Sequence, residues 1–510
     1  MIEQNTATPR GWFGHPRGLS TLFFTEMWER FSYYGMRAIL LLFMTAPIAS
    51  GGLGWDAAKA GPVYGLYTAM VYLTALPGGW VADRLIGQRR AVLFGGILIA
   101  MGHLSLTLHD IGFFYGGLFL ITIGTGLLKP NISTMVGTLY EADSTRRDAG
   151  FSIFYMGINL GAFIAPIVCG FLAQDERFRG WLSSVGLRPE NSWHWGFGAA
   201  TVGMTLGIVQ YVMGGHRLEQ AGLRPAVTLD PVAVGRLRRR LLAGLAAVVV
   251  LAGTAAAMQA SGMLAISIED VTRVVGYVLV IVPILYFGYF FLNKGWTAAE
   301  KKRLGAILLF FLFAAMFWSA FEQAGSSMNL FAERFSQNEI LGFGFPASWW
   351  QSINSLFLFM LAPVFAWLWV ALGKREPSSP GKFSFGLCFM GAGFMVMAVA
   401  AIFSGPSGGR VSPMWLATLY LCSTLGELCL SPVGLSTMTK LAPARVGGQM
   451  MGIWFVALSA GNFIGGQVAG LFDSLPLPNL FGAVGAVMMT CTVICVAMIR
   501  PIRRLMGGVH

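Results

Sequence analysis

The stretch FFTEMWERFSYYGMR, residues 23–37, sets four charges inside an oily run. Glu26, Glu29, Arg30 and Arg37 are the only charged residues between Leu19 and Met44. An uninterrupted apolar segment of this length is long enough to cross a bilayer, which takes about 20 residues. A charge facing lipid at mid-bilayer costs about 2.5–3.5 kcal/mol. Four of them must therefore face partners or a wet interior. On a helix advancing about 100° per residue, Glu26, Glu29, Arg30, Tyr33, Tyr34 and Arg37 fall within an arc of about 140°. Phe24, Met27, Trp28, Phe31 and Leu42 occupy the other side, suited to lipid or helix packing. Glu26 and Arg30, four apart, can pair. A purely structural ion-pair lock is the alternative, but Arg37 has no acidic partner within one turn of its own helix.

The rest of the chain agrees with a membrane setting. Hydrophobic residues make up 55% and charged ones 11%, against about 25% charged in a soluble domain, and the mean hydropathy is +0.65. The first 18 residues are largely polar and the first apolar stretch is already a full span, so no secretory signal peptide is expected. Cys169, Cys388, Cys422, Cys429, Cys491 and Cys495 all lie in apolar runs and read as small hydrophobes.

Fourteen candidate spans follow, at residues 19–47, 62–82, 91–108, 111–140, 149–173, 195–214, 241–258, 274–292, 304–331, 347–372, 383–403, 413–441, 448–472 and 480–499. Threading them alternately places 25 of the 35 Lys and Arg in one set of loops, among them Arg10, Arg89, Arg90, Arg146, Arg147, Arg236, Arg238, Arg239, Arg240 and Arg445. Seven fall on the other side, and Arg30, Arg37 and Lys129 lie deep in spans. The positive-inside rule then puts both termini in the cytoplasm. This distribution also accounts for the net charge of +12 without a nucleic-acid partner. Two basic stretches flank a bland pair of spans and divide the chain. Residues 1–215 read as a six-helix half, 216–303 as a cytoplasmic linker with two extra helices, and 304–510 as a second six-helix half, the layout of many transporters.

Further charges sit at mid-span. GTGLLKPNIS puts Lys129 before Pro130, which is expected to kink or loosen its helix. FWSAFEQAGSS carries Glu322, and LGELCLSPVGLS carries Glu427. The deep carboxylates outnumber the deep cations by one, which suits a site that takes up a proton. A glutamate near a lysine can exchange between paired and protonated states. In GGWVADRLIGQRR, residues 78–90, the residues Gly79, Asp83, Arg84, Gly87, Arg89 and Arg90 resemble the loop signature of the major facilitator superfamily, with Asp83 and Arg84 as a cytoplasmic latch.

Joined together, these pieces resemble one family. EMWERFSYYGMR matches the E-x-x-E-R-F-x-Y-Y-G signature of the bacterial proton-dependent oligopeptide transporters, and FYMGINLGA, residues 154–162, is similar to their second signature. GTGLLKPNIS, WHWGFGAA and GELCLSPVGLS resemble them too, so the likeness covers essentially the whole chain. It implies an all-α integral membrane protein of the major facilitator fold, with two six-helix bundles plus two extra central helices. It implies import of di- and tripeptides with protons, in the bacterial cytoplasmic membrane, by a monomer that needs no cofactor, only protons as coupling ion.

Carried onto this sequence, the resemblance implies that Arg37 and Lys129 hold the peptide carboxylate. Glu427 holds the amine with Asn159 and Asn354. Tyr33, Tyr34, Tyr72, Trp318, Ser431, Trp454 and Phe455 line the peptide site. Glu26, Glu29 and Arg30 serve proton coupling, and Glu322 pairs with Lys129 as a gate. Animal relatives carry a functional His in the second helix; residues 62–82 contain none, and His103 reads as a packed residue. Proton handling should therefore rest on the glutamates. A family member moving nitrate would have no use for an amine-binding carboxylate such as Glu427. The tandem signatures argue against a drug-efflux facilitator. No HExxH, GxSxG, CxxC or paired-His spacing supports a membrane-embedded enzyme. A peptide sensor that does not transport remains compatible with these residues.

Overall fold

The computed structural model describes residues 11–140, 145–227, 230–263, 265, 267–405, 409–443 and 447–507. Arg10 and Arg445, counted above among the cytoplasmic charges, lie outside the described residues. The protein is all-α apart from a small hairpin. Its long helices are α1 (Arg17–Thr45), α2 (Ala57–Leu73), α3 (Gln88–Leu106), α4 (Ile111–Thr138), α5 (Thr145–Gln174), α6 (Ser192–Met213) and α7 (Pro231–Ala260). They continue as α8 (Ile268–Leu292), α9 (Ala298–Phe321), α10 (Trp350–Leu372), α11 (Ser379–Phe403), α12 (Met414–Leu441), α13 (Gly447–Ala469) and α14 (Leu477–Met506). Each falls on one of the fourteen expected spans. Among the described residues, eleven helices are long and apolar enough to cross a membrane. The other three long helices are α1, with its four interior charges, the shorter α2, and α7.

Local signals start several of these helices. Asp110 accepts from the Gly112 amide at the head of α4. Ser267 and Asp270 form a reciprocal capping box on α8, and Thr297 and Glu300 form one on α9, each satisfying two backbone donors that a helix start leaves unpaired. Between α9 and α10, strands Glu339–Ile340 and Phe343–Gly344 pair antiparallel. Leu341 and Gly342 between them both have positive φ, 52° and 82°, as a two-residue turn of matching twist requires.

The chain forms two compact units. The first takes its residues from Met1–Tyr34, Thr74–Ala162 and Gly198–Ile266. Its core holds Leu19, Leu22, Val92, Ile99, Leu128, Ile132, Met135 and Met204, all essentially without exposed surface. Small residues bring α3 and α4 into backbone contact: a Cβ on Gly95 would stand 2.6 Å from the Gly124 carbonyl oxygen. This is how helices approach in lipid, where packing rather than the hydrophobic effect drives association.

Pro130, expected to kink or loosen α4, lies inside a continuous helix from Ile111 to Thr138. The carbonyl that loses its donor to the proline, that of Gly126, is covered by Gly78: a Cβ there would stand 2.0 Å from it. Asn131 Nδ2 donates to the neighbouring Leu127 carbonyl at 2.7 Å. The backbone of another segment thus packs directly on the carbonyl that Pro130 frees.

The second unit comprises Gly35–Leu73, Phe163–Phe197 and Ser267–His510. Here α2 and α13 make the corresponding contact, with a Cβ on Gly466 reaching 2.3 Å from the Gly65 Cα. The ninth span differs from its sequence reading. The run 304–331 is not one helix: α9 ends at Phe321, a 3-10 turn covers Glu322–Gly325, and a short helix resumes at Ser327–Phe335. Gln323 stitches the break, donating to the Ser319 carbonyl at 3.0 Å and accepting from the Ser327 hydroxyl at 2.7 Å.

Candidate functional site

In the first unit, α1 carries one guanidinium between two carboxylates. Arg30 Nε lies 3.2 Å from Glu26 Oε1 and is also paired with Glu29. All three side chains are buried, Glu29 completely. The helix spacing explains the geometry, since Glu26 is one turn before Arg30 and Glu29 precedes it directly. Arg30 also lies over the rings of Tyr33 and Tyr34, at 5.3 and 5.9 Å from their centroids, and the two tyrosines meet edge to face. The close approach of α5 depends on Gly161, where a Cβ would stand 2.2 Å from the Met27 carbonyl oxygen and 3.0 Å from Arg30 Cβ. Two residues before Gly161, Asn159 is buried and donates to its own helix, at the Tyr155 carbonyl, 3.0 Å. Lys129 on α4 is half-buried and near enough to Glu26 to act on it electrostatically. Two carboxylates thus share one buried guanidinium, with the Lys129 ammonium close enough to act on Glu26.

In the second unit, the lower-numbered partner is again on α1. Arg37 Nη2 pairs with Glu322 Oε2 at 2.5 Å, and its Nε donates to the Tyr64 hydroxyl at 2.7 Å. The helix break places Glu322 there, and Gly325 makes room: a Cβ on it would stand 2.0 Å from the Tyr64 hydroxyl and 3.0 Å from Arg37 Nε. Asn329 Nδ2 holds the adjacent backbone, donating to the Ala38 carbonyl at 2.7 Å. Glu322, expected from the sequence as a partner of Lys129, is therefore salt-bridged to Arg37. Asn354 on α10 donates to Glu427 Oε2 on α12 at 3.2 Å and to Thr424 Oγ1 at 3.0 Å. A carboxylate and an amide read separately from the sequence are in direct contact.

Aromatic residues expected at the site are packed around this unit. Tyr72 and Phe455 stack at 6.5 Å between centroids. Trp318 is buried with its indole N–H unpaired among the described residues, and Gly461 lies against its Cβ. Trp454 is buried over Gly434, and Ser431 on α12 is half-buried. The sequence reading passed over Tyr64 and Thr424. Tyr64, Thr68 and Tyr72 share one face of α2 at four-residue spacing, a polar stripe that was legible. Thr424 precedes Glu427 by three residues and so shares its face.

His103 is fully buried in α3, with neither ring nitrogen hydrogen-bonded among the described residues. Beyond α2 a short helix, Ala75–Val81, runs into a π-helical turn, Ala82–Ile86, that carries Asp83 and Arg84. Asp83 accepts from Gln88 Nε2 at 3.4 Å, while Arg84 lies over the Trp80 ring at 5.3 Å. The segment following α6 is strapped to this stretch. Arg89 N donates to the Gly222 carbonyl and Val227 N to the Asp83 carbonyl, both at 2.9 Å, and Arg89 Nη2 reaches the Glu219 carbonyl at 2.7 Å. Among the described residues, no cluster of three or more His, Cys, Asp or Glu could hold a metal ion.

The model of the POT family matches residues 89–487. The chain belongs to the POT family. It is 42% identical to the peptide transporter YePEPT of Yersinia enterocolitica, over 99% of both chains. It is 39% identical, over the full length of both, to a di-/tripeptide transporter of Lactococcus lactis. Among solved structures, a mutant peptide transporter POT in complex with alafosfalin superposes with a TM-score of 0.87 at 42% identity, covering 98% of this chain and 97% of that one. This POT protein is thus an all-α, multi-pass membrane transporter of the major facilitator type and not an enzyme.

Proposed function

We propose that this protein is a proton-coupled symporter that imports di- and tripeptides across the cytoplasmic membrane of a bacterium by alternating access. The observation that carries the reading is the buried Glu26–Arg30–Glu29 cluster within the signature of α1. Two carboxylates facing one guanidinium carry one net negative charge, and a single proton neutralises it. Lys129, close to Glu26, offers a second cation whose partner changes with that proton. A peptide zwitterion needs cations at one end and an anion with amide groups at the other. Arg37 and Lys129 supply the first, and Glu427 with Asn354 and Asn159 the second. Tyr33, Tyr34, Tyr72, Trp318, Ser431, Trp454 and Phe455 shape the side-chain pockets. Glu322 acts as a gate: a peptide carboxylate approaching Arg37 competes with it. Asp83 and Arg84 serve as the cytoplasmic latch. The halves are residues 1–215 and 304–510, joined by the linker 216–303. The protein works as a monomer, with both termini in the cytoplasm and no cofactor.

The test is uptake by proteoliposomes. A symporter accumulates dipeptide when an inward proton gradient is imposed and loses the accumulation when a protonophore is added. Uptake that is the same with and without the gradient rejects symport, and no dipeptide binding at all rejects the substrate class.

A further inference from the structure

A groove of about 510 Å³ opens between α2, α8 and α13 on the second unit, and none of the paired residues described above lines it. Ligand-holding pockets measure about 300–1,000 Å³. One end is polar: Lys59 lies two residues into α2, and Glu269 and Arg273 lie in the first two turns of α8. Lys59 Nζ sits over the Trp55 ring at 4.2 Å and interacts electrostatically with Glu269. Arg273 Nη1 is 3.3 Å from Asp270 at the outer edge. The rest of the lining is largely apolar, with Pro62, Tyr277, Val280 and Phe463. Between Glu269 and Val280 the helix rises about 16 Å, so the groove runs from polar to oily along the bilayer normal. Gln467 projects into it with its Nε2 buried and without an acceptor among the described residues.

The outer face of α8 settles where the occupant comes from. Tyr277, Val280, Ile284 and Leu285 are all about 60% exposed or more, on a helix of a membrane protein, so this face meets lipid. We propose that the groove binds one phospholipid, phosphatidylethanolamine. Its phosphate would face Lys59 and Arg273, its primary ammonium Glu269, a glycerol ester carbonyl the Gln467 amide, and an acyl chain Val280 and Phe463. Glu269 sets the headgroup preference. It gives the primary ammonium an ionic partner, whereas the uncharged glycerol headgroup of phosphatidylglycerol offers no cation and the quaternary ammonium of phosphatidylcholine has no N–H to donate to it. Nothing in this inference depends on the transported substrate.

The experiment is native mass spectrometry of the full-length protein in detergent. It is offered phosphatidylethanolamine, phosphatidylglycerol or phosphatidylcholine with identical chains, or the chainless glycerophosphoethanolamine. Wild type is expected to retain phosphatidylethanolamine over the other two lipids and over the chainless compound. The double variant Lys59→Ala/Arg273→Ala should retain about tenfold less of it, and Glu269→Gln should move the preference towards phosphatidylglycerol. Equal retention of the three lipids by wild type overturns the proposal. So does unchanged retention by the double variant, or binding of glycerophosphoethanolamine as tight as that of the lipid. Should the double variant fail to fold, a photoactivatable phosphatidylethanolamine is crosslinked to wild type. Label enriched on the peptides carrying Tyr277 and Phe463 supports the site, and label spread evenly over the helices overturns it.

Discussion

Arg37 and Glu322, 285 residues apart in sequence, form an ion pair of 2.5 Å in which each side chain is only 5% exposed. Breaking a buried pair by removing one partner costs about 3–5 kcal/mol, because the other charge is left uncompensated. Arg37→Ala alone should therefore lower the melting temperature strongly. Arg37→Ala/Glu322→Gln should recover part of the loss, since no lone charge remains. A double variant no more stable than the single one would show that the pair is not the source of the loss.

Gly325 is the residue that lets Tyr64 and Arg37 reach the helix break. Gly325→Ala puts a methyl group 2.0 Å from the Tyr64 hydroxyl, and overpacking of this kind costs about 1–3 kcal/mol. Thermal melts should show the loss. Tyr64→Phe, which removes the oxygen, should relieve it in the double variant. No rescue by Tyr64→Phe would place the strain elsewhere.

These two residues also mark where the sequence stops being informative. The long helices were legible because each carries an apolar run of membrane length. The α1 stripe was legible because charge in lipid is costly and its spacing leaves one face. The break at Glu322 was passed over although EQAGSSMN, residues 322–329, sets a glycine, two serines and three larger polar residues inside the apolar run. What lies against the carbonyl freed by Pro130 was not legible. Here that is Gly78, which belongs to another segment. Partner choice is the same kind of long-range fact. Arg37 read as lacking an acidic neighbour on its own helix, and its carboxylate arrives from the 3-10 turn that follows α9.

Glu427 is the proposed anchor for the peptide amine, with Asn354 orienting its carboxylate. A hydrogen bond to a charged group is worth about 1.5–3 kcal/mol. Glu427→Gln should thus weaken dipeptide binding by roughly ten- to a hundredfold while preserving shape. N-acetylated dipeptides should compete poorly even with wild type. Calorimetric titrations with free and acetylated peptides decide it: equal affinities would remove Glu427 from this role.

Lys129 is the proposed coupling residue, and the cluster gives it a mechanism with a definite sign. When Glu26 and Glu29 are both ionised, Arg30 compensates one of them, and Lys129 is drawn to the remaining charge. A proton entering the cluster cancels that charge. Lys129 is then released to the peptide carboxylate, so proton and peptide favour the same state. Reciprocity follows: peptide must raise the affinity for the proton by the factor by which the proton raises the affinity for peptide. In wild type, dipeptide affinity should therefore increase as pH falls through the titration of the cluster. Lys129→Ala removes the group that both ligands compete for. It should abolish accumulation driven by a pH gradient and flatten the pH dependence of binding, while exchange of peptide without a gradient persists at a reduced rate through Arg37. Paired liposome assays, with and without the gradient, separate these effects. If Lys129→Ala concentrates dipeptide as wild type does, coupling resides in Glu26, Glu29 and Arg30 without this lysine.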